Sequence, residues 1–219
     1  MILAQENIIQ RMKTAFEIRV CNSCGLRYPI LEGHSFGVRC PHCLGETIVV
    51  LKKEITRETR RKRAAKRNGN SRAVLLDNIR SAWNVGAIFR SAEGFGFSHA
   101  HVCGITPTPD VEAVRKTSLG AEKSVRWTYH KSALAAAREL KSTGHTLLAL
   151  EEDKKAVALQ NASMTGKVVL ILGSEVTGVD PELLDLCDQI AFIPMQGRKK
   201  SFNVSAAFAI AAYALAAKE

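Results

Sequence analysis

The sequence predicts an α/β protein, a mostly parallel sheet covered by helices, preceded by a small module held together by metal. Three observations predict it. AVLLDN (73–78) is a short apolar run ending in Asp-Asn and VVLILG (168–173) is apolar throughout, as strands buried on both faces are. These runs alternate with stretches of helical periodicity, the order that builds parallel sheets. The first fifty residues carry two Cys-x2-Cys pairs in a stretch too short to bury much of a core unaided.

The N-terminal module, residues 1–50, rests on Cys21, Cys24, Cys40 and Cys43. Fifteen residues separate the pairs, the spacing of a four-thiolate structural zinc site. Such a site is closed, so it is read as structural and the metal as a source of folding energy. His34 and His42 are alternative ligands, and reduced or disulfide-paired cysteines the alternative chemistry. Gly25 and Gly45 follow the pairs, where tight turns need a permissive backbone. Leu26, Tyr28 and Ile30, then Phe36 and Val38, alternate as short strands would.

A basic linker, 51–72, follows. The chain has 31 Lys+Arg against 21 Asp+Glu, net +10, and ten basic and two acidic residues fall in this segment. A block of that charge repels itself and attracts polyanions, which points to nucleic acid; a solvated linker helix is the alternative. Binding through it should be salt-dependent and blind to sequence. Asn68-Gly-Asn-Ser71 marks a domain boundary.

The third region, 73–219, is the α/β domain. After the strand at 73–78, a helix is expected over 84–95 with Asn84 as its cap. Val85, Ile88, Phe89 and Ala92 form its buried stripe, with Arg90 on the other side beside Gly86 and Glu93. Further strands are expected at HAHVCG (99–104), HTLLAL (145–150), 168–173 and AFIP (191–194). Helices are expected at 110–118, 131–142 and from Asn203 to the end. The last helix is apolar nearly all round, so a second layer or a subunit interface must cover it. Cys103 and Cys187 read as small buried hydrophobes.

Composition excludes several classes. Apolar residues make up 46% and charged residues 24%, an ordinary globular balance. No apolar run is long enough to span a bilayer, and the N-terminus lacks the pattern of a secretory signal. No membrane association is expected, and with paired thiols the expected location is cytoplasmic, or organellar in a host that has organelles. No G-x-G-x-x-G follows the first strand, and no Walker loop, metalloprotease motif or Ser-His-Asp order is present. Polar, Gly-containing loops cluster instead after 172 and 192, beyond strand ends, where open α/β sheets bind ligands.

Those loops carry a resemblance. Asn84-Val-Gly-Ala-Ile-Phe-Arg90, Leu172-Gly-Ser-Glu175-Val-Thr-Gly178 and Ile193-Pro-Met-Gln-Gly197-Arg-Lys-Lys-Ser201-Phe-Asn203-Val-Ser205 resemble, in order, the three motifs of the SpoU (TrmH-like) family of RNA ribose methyltransferases. GITPTPD and KTSLGAE between them are similar to the family as well. The resemblance covers 73–219. It departs at Phe202, where Leu is usual, and in the N-terminal ribbon, which is not the family's usual extension. It implies a SPOUT fold with a C-terminal trefoil knot, a rare exception to unthreaded connections. It implies a homodimer, S-adenosylmethionine as cofactor, RNA (tRNA or rRNA) as partner and a 2′-O-methyl ribose as product.

The resemblance also implies roles. The cofactor would lie against the backbone of Leu172, Gly173, Ile193 and Met195, near Glu175, Gly197, Ser201 and Asn203. Asn84, Arg90, Glu175, Ser201 and Asn203 would be the catalytic set. Guanidinium does not give up its proton, so Arg90 is read as a fork on the target phosphate and ribose, with phosphate or water as proton acceptor. Simpler readings stand beside these: Arg90 pairing with Glu93, Asn84 as a plain cap, Glu175 ordering its loop, and Ser201 and Asn203 capping the last helix. Arg198, Lys199 and Lys200 either meet phosphates or solvate a loop. A catalytically inactive RNA-binding protein and a zinc-ribbon DNA-binding regulator are the competing functions; the intact motif residues favour the enzyme.

Overall fold

The structure is a computed structural model that describes residues 13–56, 71–162, 166–199 and 201–217. The chain divides into two compact units, Met1–Ala64 and Ala65–Glu219. Most of the basic linker and the expected boundary at 68–71 lie largely outside the described residues.

In the first unit a long central strand, β1 (Lys13–Cys21), pairs antiparallel with β2 (Arg27–Leu31) and β3 (Thr47–Thr56). β3 runs past residue 50, so Lys52 and Lys53 of the basic segment are strand residues. The register shifts between Ile18 and Arg19, a bulge that re-aims the strand. The strand expected through Phe36 and Val38 does not form. Gly33, at φ 81°, turns the chain, and Ser35–Gly37 is a single 3-10 turn. The His34 Nδ1 caps that turn by accepting the Phe36 N–H at 3.3 Å.

The second unit is a seven-stranded parallel sheet. Its elements are β4 (Arg72–Asp77), α1 (Ala82–Gly94), β5 (His99–Cys103), α2 (Glu112–Ser118), β6 (Arg126–His130), α3 (Ala133–Ser142), β7 (Thr146–Leu150), β8 (Val157–Ala158), β9 (Val168–Leu172), α4 (Pro181–Leu186), β10 (Gln189–Phe192) and α5 (Val204–Ala216). The strand order is β6-β5-β4-β9-β7-β10-β8. β9, late in the chain, is thus inserted between β4 and β7, which brings the loops after β7, β9 and β10 side by side.

Alternate residues of the apolar strands serve different cores. Val74, Leu76, Leu170 and Leu172 face one core with Val85, Ile88 and Phe89 of α1 and Phe208, Ala211 and Leu215 of α5. Ala73, Leu75, Val169 and Ile171 face the other, under α3 and α4. Both faces are covered there, so β9 and the middle of β4 are apolar at every position. α1 buries more than its stripe. A Cβ at Gly86 would come closer than 3.0 Å to Thr117 and to the Val114 carbonyl of α2, so Gly86 belongs to a helix–helix contact and not to the exposed side of Arg90. α5 buries one face on this core, while Tyr213 stays 65% exposed.

Three histidines gather near the β6 edge. His101 Nδ1 and His130 Nε2 are 3.0 Å apart, and the His99 ring stacks on His101 at 4.4 Å. Burial, then the neighbouring His99, His130 and His145, pushes His101 down to about 3 from its ordinary 6.5. The unfolded chain therefore takes up a proton at His101 below about pH 6.5 that the folded chain refuses until about pH 3. Stability is expected to fall as pH drops through that window. Thermal unfolding followed from pH 7 to pH 4 should show this slope, reduced in a His101→Gln variant; an equally steep slope in the variant would contradict the assignment.

Candidate functional site

The site is assembled at the N-terminus of α1. Ser81 caps this helix, its hydroxyl accepting the Asn84 N–H at 3.3 Å. Asn84 is therefore not the cap expected from sequence. Ser81 is an equally good capping residue and starts the helix earlier, which moves Asn84 into the first turn and leaves its side chain free to reach outward.

The loop after β9 approaches from the other side. Ser174 and Gly178 bridge across it, and Gly173 lies against the backbone of Gly178 and Val179 so closely that a Cβ would come within 3.0 Å of both. This narrow loop carries Glu175. Its Oε2 accepts the Arg80 N–H at 3.0 Å, and its Oε1 accepts the Ser81 N–H at 3.4 Å and an Asn84 Nδ2 hydrogen at 2.9 Å. A carboxylate here satisfies N–H groups that open a helix and sits at the favourable end of its dipole. Burial raises the Glu175 carboxyl, but the bonds from Arg80, Asn84 and Ser81 outweigh it and hold the group below its ordinary value.

The third motif closes the chain of contacts. Asn203 caps α5, its Oδ1 accepting the Ser205 N–H at 2.9 Å and the Ser205 hydroxyl at 2.7 Å. Its Nδ2 then donates to Asn84 Oδ1 at 3.0 Å. The direction of each amide is dictated by its neighbours: the cap fixes Asn203, and the carboxylate fixes Asn84. Glu175, Asn84 and Asn203 thus form one directed chain joining the three motifs. Each Asn keeps one N–H not used in it.

A cleft of about 530 Å³ opens beside this chain. Leu172, Gly173, Glu175, Ile193, Met195, Ser201 and Asn203 all line it. Gly197 does not; it is exposed, with open space where a Cβ would stand. Arg90 is also outside the cleft, exposed on α1 about 9 Å along the helix axis from Asn84. Arg198 and Lys199 are exposed, and Lys200 lies outside the described residues.

The structure adds residues that the sequence reading missed. Leu150, the last residue of β7, and Glu151 and Glu152 after it form part of the wall. Glu151 Oε2 accepts the Val179 N–H at 3.0 Å and so pins the far end of the Glu175 loop. The sequence holds a signal for it: Glu151 follows a strand end, as the loops after 172 and 192 do.

The four cysteines of the first unit converge. Their sulfurs lie within 4.8 Å of one another, with Cys21–Cys43 at 3.4 Å and Cys24–Cys40 at 3.7 Å. A tetrahedral four-thiolate zinc site with Zn–S of ~2.3 Å has sulfurs ~3.8 Å apart. All four are free thiols, and neither His34 nor His42 belongs to the cluster. The Cys24 and His42 N–H groups donate to Cys21 and Cys40 sulfurs at 3.5 and 3.4 Å. Residue i+4 of each pair is left-handed, Gly25 (φ 74°) at the first and Leu44 (φ 60°) at the second. Gly45 is needed for space, since a Cβ there would press on Ser23 and the Cys21 sulfur.

A parallel sheet with its cleft walled by loops after three strands defines an α/β protein that binds its ligand beyond the carboxyl ends of the strands. Among the described residues no helix is long and apolar enough to cross a membrane. The chain belongs to the SpoU rRNA methylase family, whose model matches residues 71–213. It is 32% identical over 174 residues to a tRNA (guanosine(18)-2′-O)-methyltransferase of Borreliella burgdorferi, covering 77% of each chain. Among solved structures, the A. aeolicus TrmH/SpoU tRNA modifying enzyme superposes with a TM-score of 0.62 at 26% identity, over 68% of this chain and 75% of that one. An AdoMet-bound rRNA methyltransferase from Sinorhizobium meliloti superposes with a TM-score of 0.63 at 25% identity, over 68% of this chain and 56% of that one.

Proposed function

We propose that this protein transfers the methyl group of S-adenosylmethionine to a ribose 2′-OH of structured RNA, tRNA or rRNA. The observation that carries the reading is the directed chain Glu175–Asn84–Asn203 at the edge of a cleft lined by the second and third motifs. The cleft's volume suits a nucleoside-sized ligand. Bound there, the cofactor supplies an electrophilic methyl group on a positively charged sulfur. The backbone of Leu172, Gly173, Ile193 and Met195 would hold it, with Ser201 beside them. The spare N–H groups of Asn84 and Asn203 would orient the ribose for that transfer. The 2′ oxygen would gain the methyl group that the sulfonium gives up, and phosphate or water would take the hydroxyl proton. Glu175 acts as a positioning residue, all of its short contacts being to N–H donors. Arg90, exposed on α1, grips a phosphate of the RNA.

Calorimetric titration with S-adenosylmethionine tests the pocket, and transfer of a labelled methyl group to bulk tRNA and rRNA, with mapping of the modified ribose, tests the reaction. Cofactor binding without transfer to either RNA would favour an inactive RNA-binding protein. We further read the exposed Tyr213 face of α5 as the homodimer surface. Sedimentation equilibrium at the mass of one 23.9 kDa chain would overturn that.

The four thiolates suit a structural zinc ion, and a reducing cytoplasm suits the thiolates. Residues 1–72 would then serve as an RNA grip. A Cys24→Ser variant is expected to lose stoichiometric zinc while keeping its affinity for S-adenosylmethionine. Metal analysis beside calorimetry checks it; full zinc content in the variant would exclude Cys24 as a ligand.

A further inference from the structure

Trp83 sits in the first turn of α1, immediately before Asn84, and it is 63% exposed. The fold does not use it. Ser81 makes the cap, and Val85, Ile88, Phe89 and Ala92 make the buried stripe. The chain's other tryptophan, Trp127, packs against the core. An indole left in water forgoes the burial that makes tryptophan valuable inside a protein. Val176, 71% exposed, stands next to Glu175 in the same way. Each partner of the Asn84–Glu175 hydrogen bond thus has an exposed apolar residue next to it in the sequence.

The charge around this patch indicates the occupant. Arg80, exposed, precedes Trp83 by three residues, and Arg90 is exposed farther along the same helix. An exposed aromatic face on a helix that also presents Arg90, with Arg80 just before its cap, matches a nucleobase joined to phosphates. Unpaired bases of RNA are held in this way, stacked on aromatic side chains.

We propose that Trp83 is the platform on which the RNA stacks the unpaired base at the ribose to be methylated. This rests on the reading of the site as an RNA methyltransferase. Trp83 would hold the nucleotide against Asn84 and act through positioning, since the indole has no part in moving the methyl group or the proton.

The full-length protein carrying Trp127→Phe leaves Trp83 as the sole tryptophan. Titration with unfractionated tRNA should quench its emission, whereas heparin, which has the charge without the bases, should not. In an otherwise wild-type chain, Trp83→Ala should raise the KM for tRNA by about 10-fold or more while the Kd for S-adenosylmethionine stays within about two-fold, and Trp83→Phe should recover most of the loss. An unchanged KM in Trp83→Ala, or bound tRNA without quenching, would overturn the proposal. So would an emission shift that follows protein concentration without RNA, because Trp83 would then lie between two copies of the chain. Quenching by tRNA with no methyl transfer to any RNA would instead sink the enzymatic reading and leave the stacking intact.

Discussion

Replacing Gly173 by alanine is expected to damage both the stability of the protein and its affinity for the cofactor. A Cβ at this position would meet the carbonyl carbon and oxygen of Gly178 and the amide of Val179, each closer than 3.0 Å. These are backbone atoms, so no side chain can swing aside. The loop must open instead, and opening it pulls Val179 away from Glu151 and Glu175 away from α1. Overpacking of this kind costs about 1–3 kcal/mol, and a hydrogen bond to a charged group adds about 1.5–3 kcal/mol. A domain of this size should then melt roughly 5–15 °C lower. Because Gly173 also lines the cleft, S-adenosylmethionine should bind at least ~10-fold more weakly, as a loss of ~1.4 kcal/mol requires. Gly197→Ala is the matched control. It changes the same residue type in a neighbouring motif, but a Cβ there meets nothing within 4 Å. Scanning calorimetry and cofactor titration of both variants check the contrast, and equal behaviour would refute the close-approach argument.

Glu175→Gln is expected to lower kcat by about 10- to 100-fold, the equivalent of roughly 1.5–3 kcal/mol for the loss of hydrogen bonds to a charged group. The side chain keeps its shape, but one oxygen becomes a donor. If the new NH2 faces Arg80, two N–H groups oppose each other at the start of α1. If it faces Asn84, that amide must turn over, and its own NH2 then meets the NH2 of Asn203. Asn203 cannot turn in response, because its oxygen caps α5 through Ser205. Either way one directed contact is lost beside the proposed ribose site. Single-turnover methyl transfer separates this from slow product release. A variant that turns over as fast as the wild type would show that the Asn84 orientation is irrelevant to the reaction.

Parts of this arrangement are legible in the sequence for identifiable reasons. β4 and β9 are unbroken apolar runs because both of their faces are covered, so their composition alone marks them. β6 is less visible. RWTYH is an edge strand, mostly exposed, and reads as neither apolar nor regular. α4 has only six residues, although Asp180 as cap and Pro181 at the first position are ordinary start signals. The helix expected from Asn84 begins at Ala82 because Ser81 takes the capping role. Seven of the eight cofactor candidates line the cleft because they follow strand ends, while Gly197 belongs to the same motif and stands apart from it.

By itself the sequence determined what depends on neighbours along the chain. The cysteine spacing brings two thiol pairs round one point, the apolar runs specify a sheet with two covered faces, and the charge gathers in one segment. The tertiary structure alone decided who meets whom. Asn203 lies 119 residues from Asn84, and Glu175 lies 91 residues from it. Their meeting follows from the insertion of β9 beside β4, a matter of strand order. Periodicity records which face of an element is apolar, but it carries no information about which strand will be the neighbour. The same insertion brings Glu151 to Val179, and it makes a cleft out of loops that the sequence presents only as separate motifs.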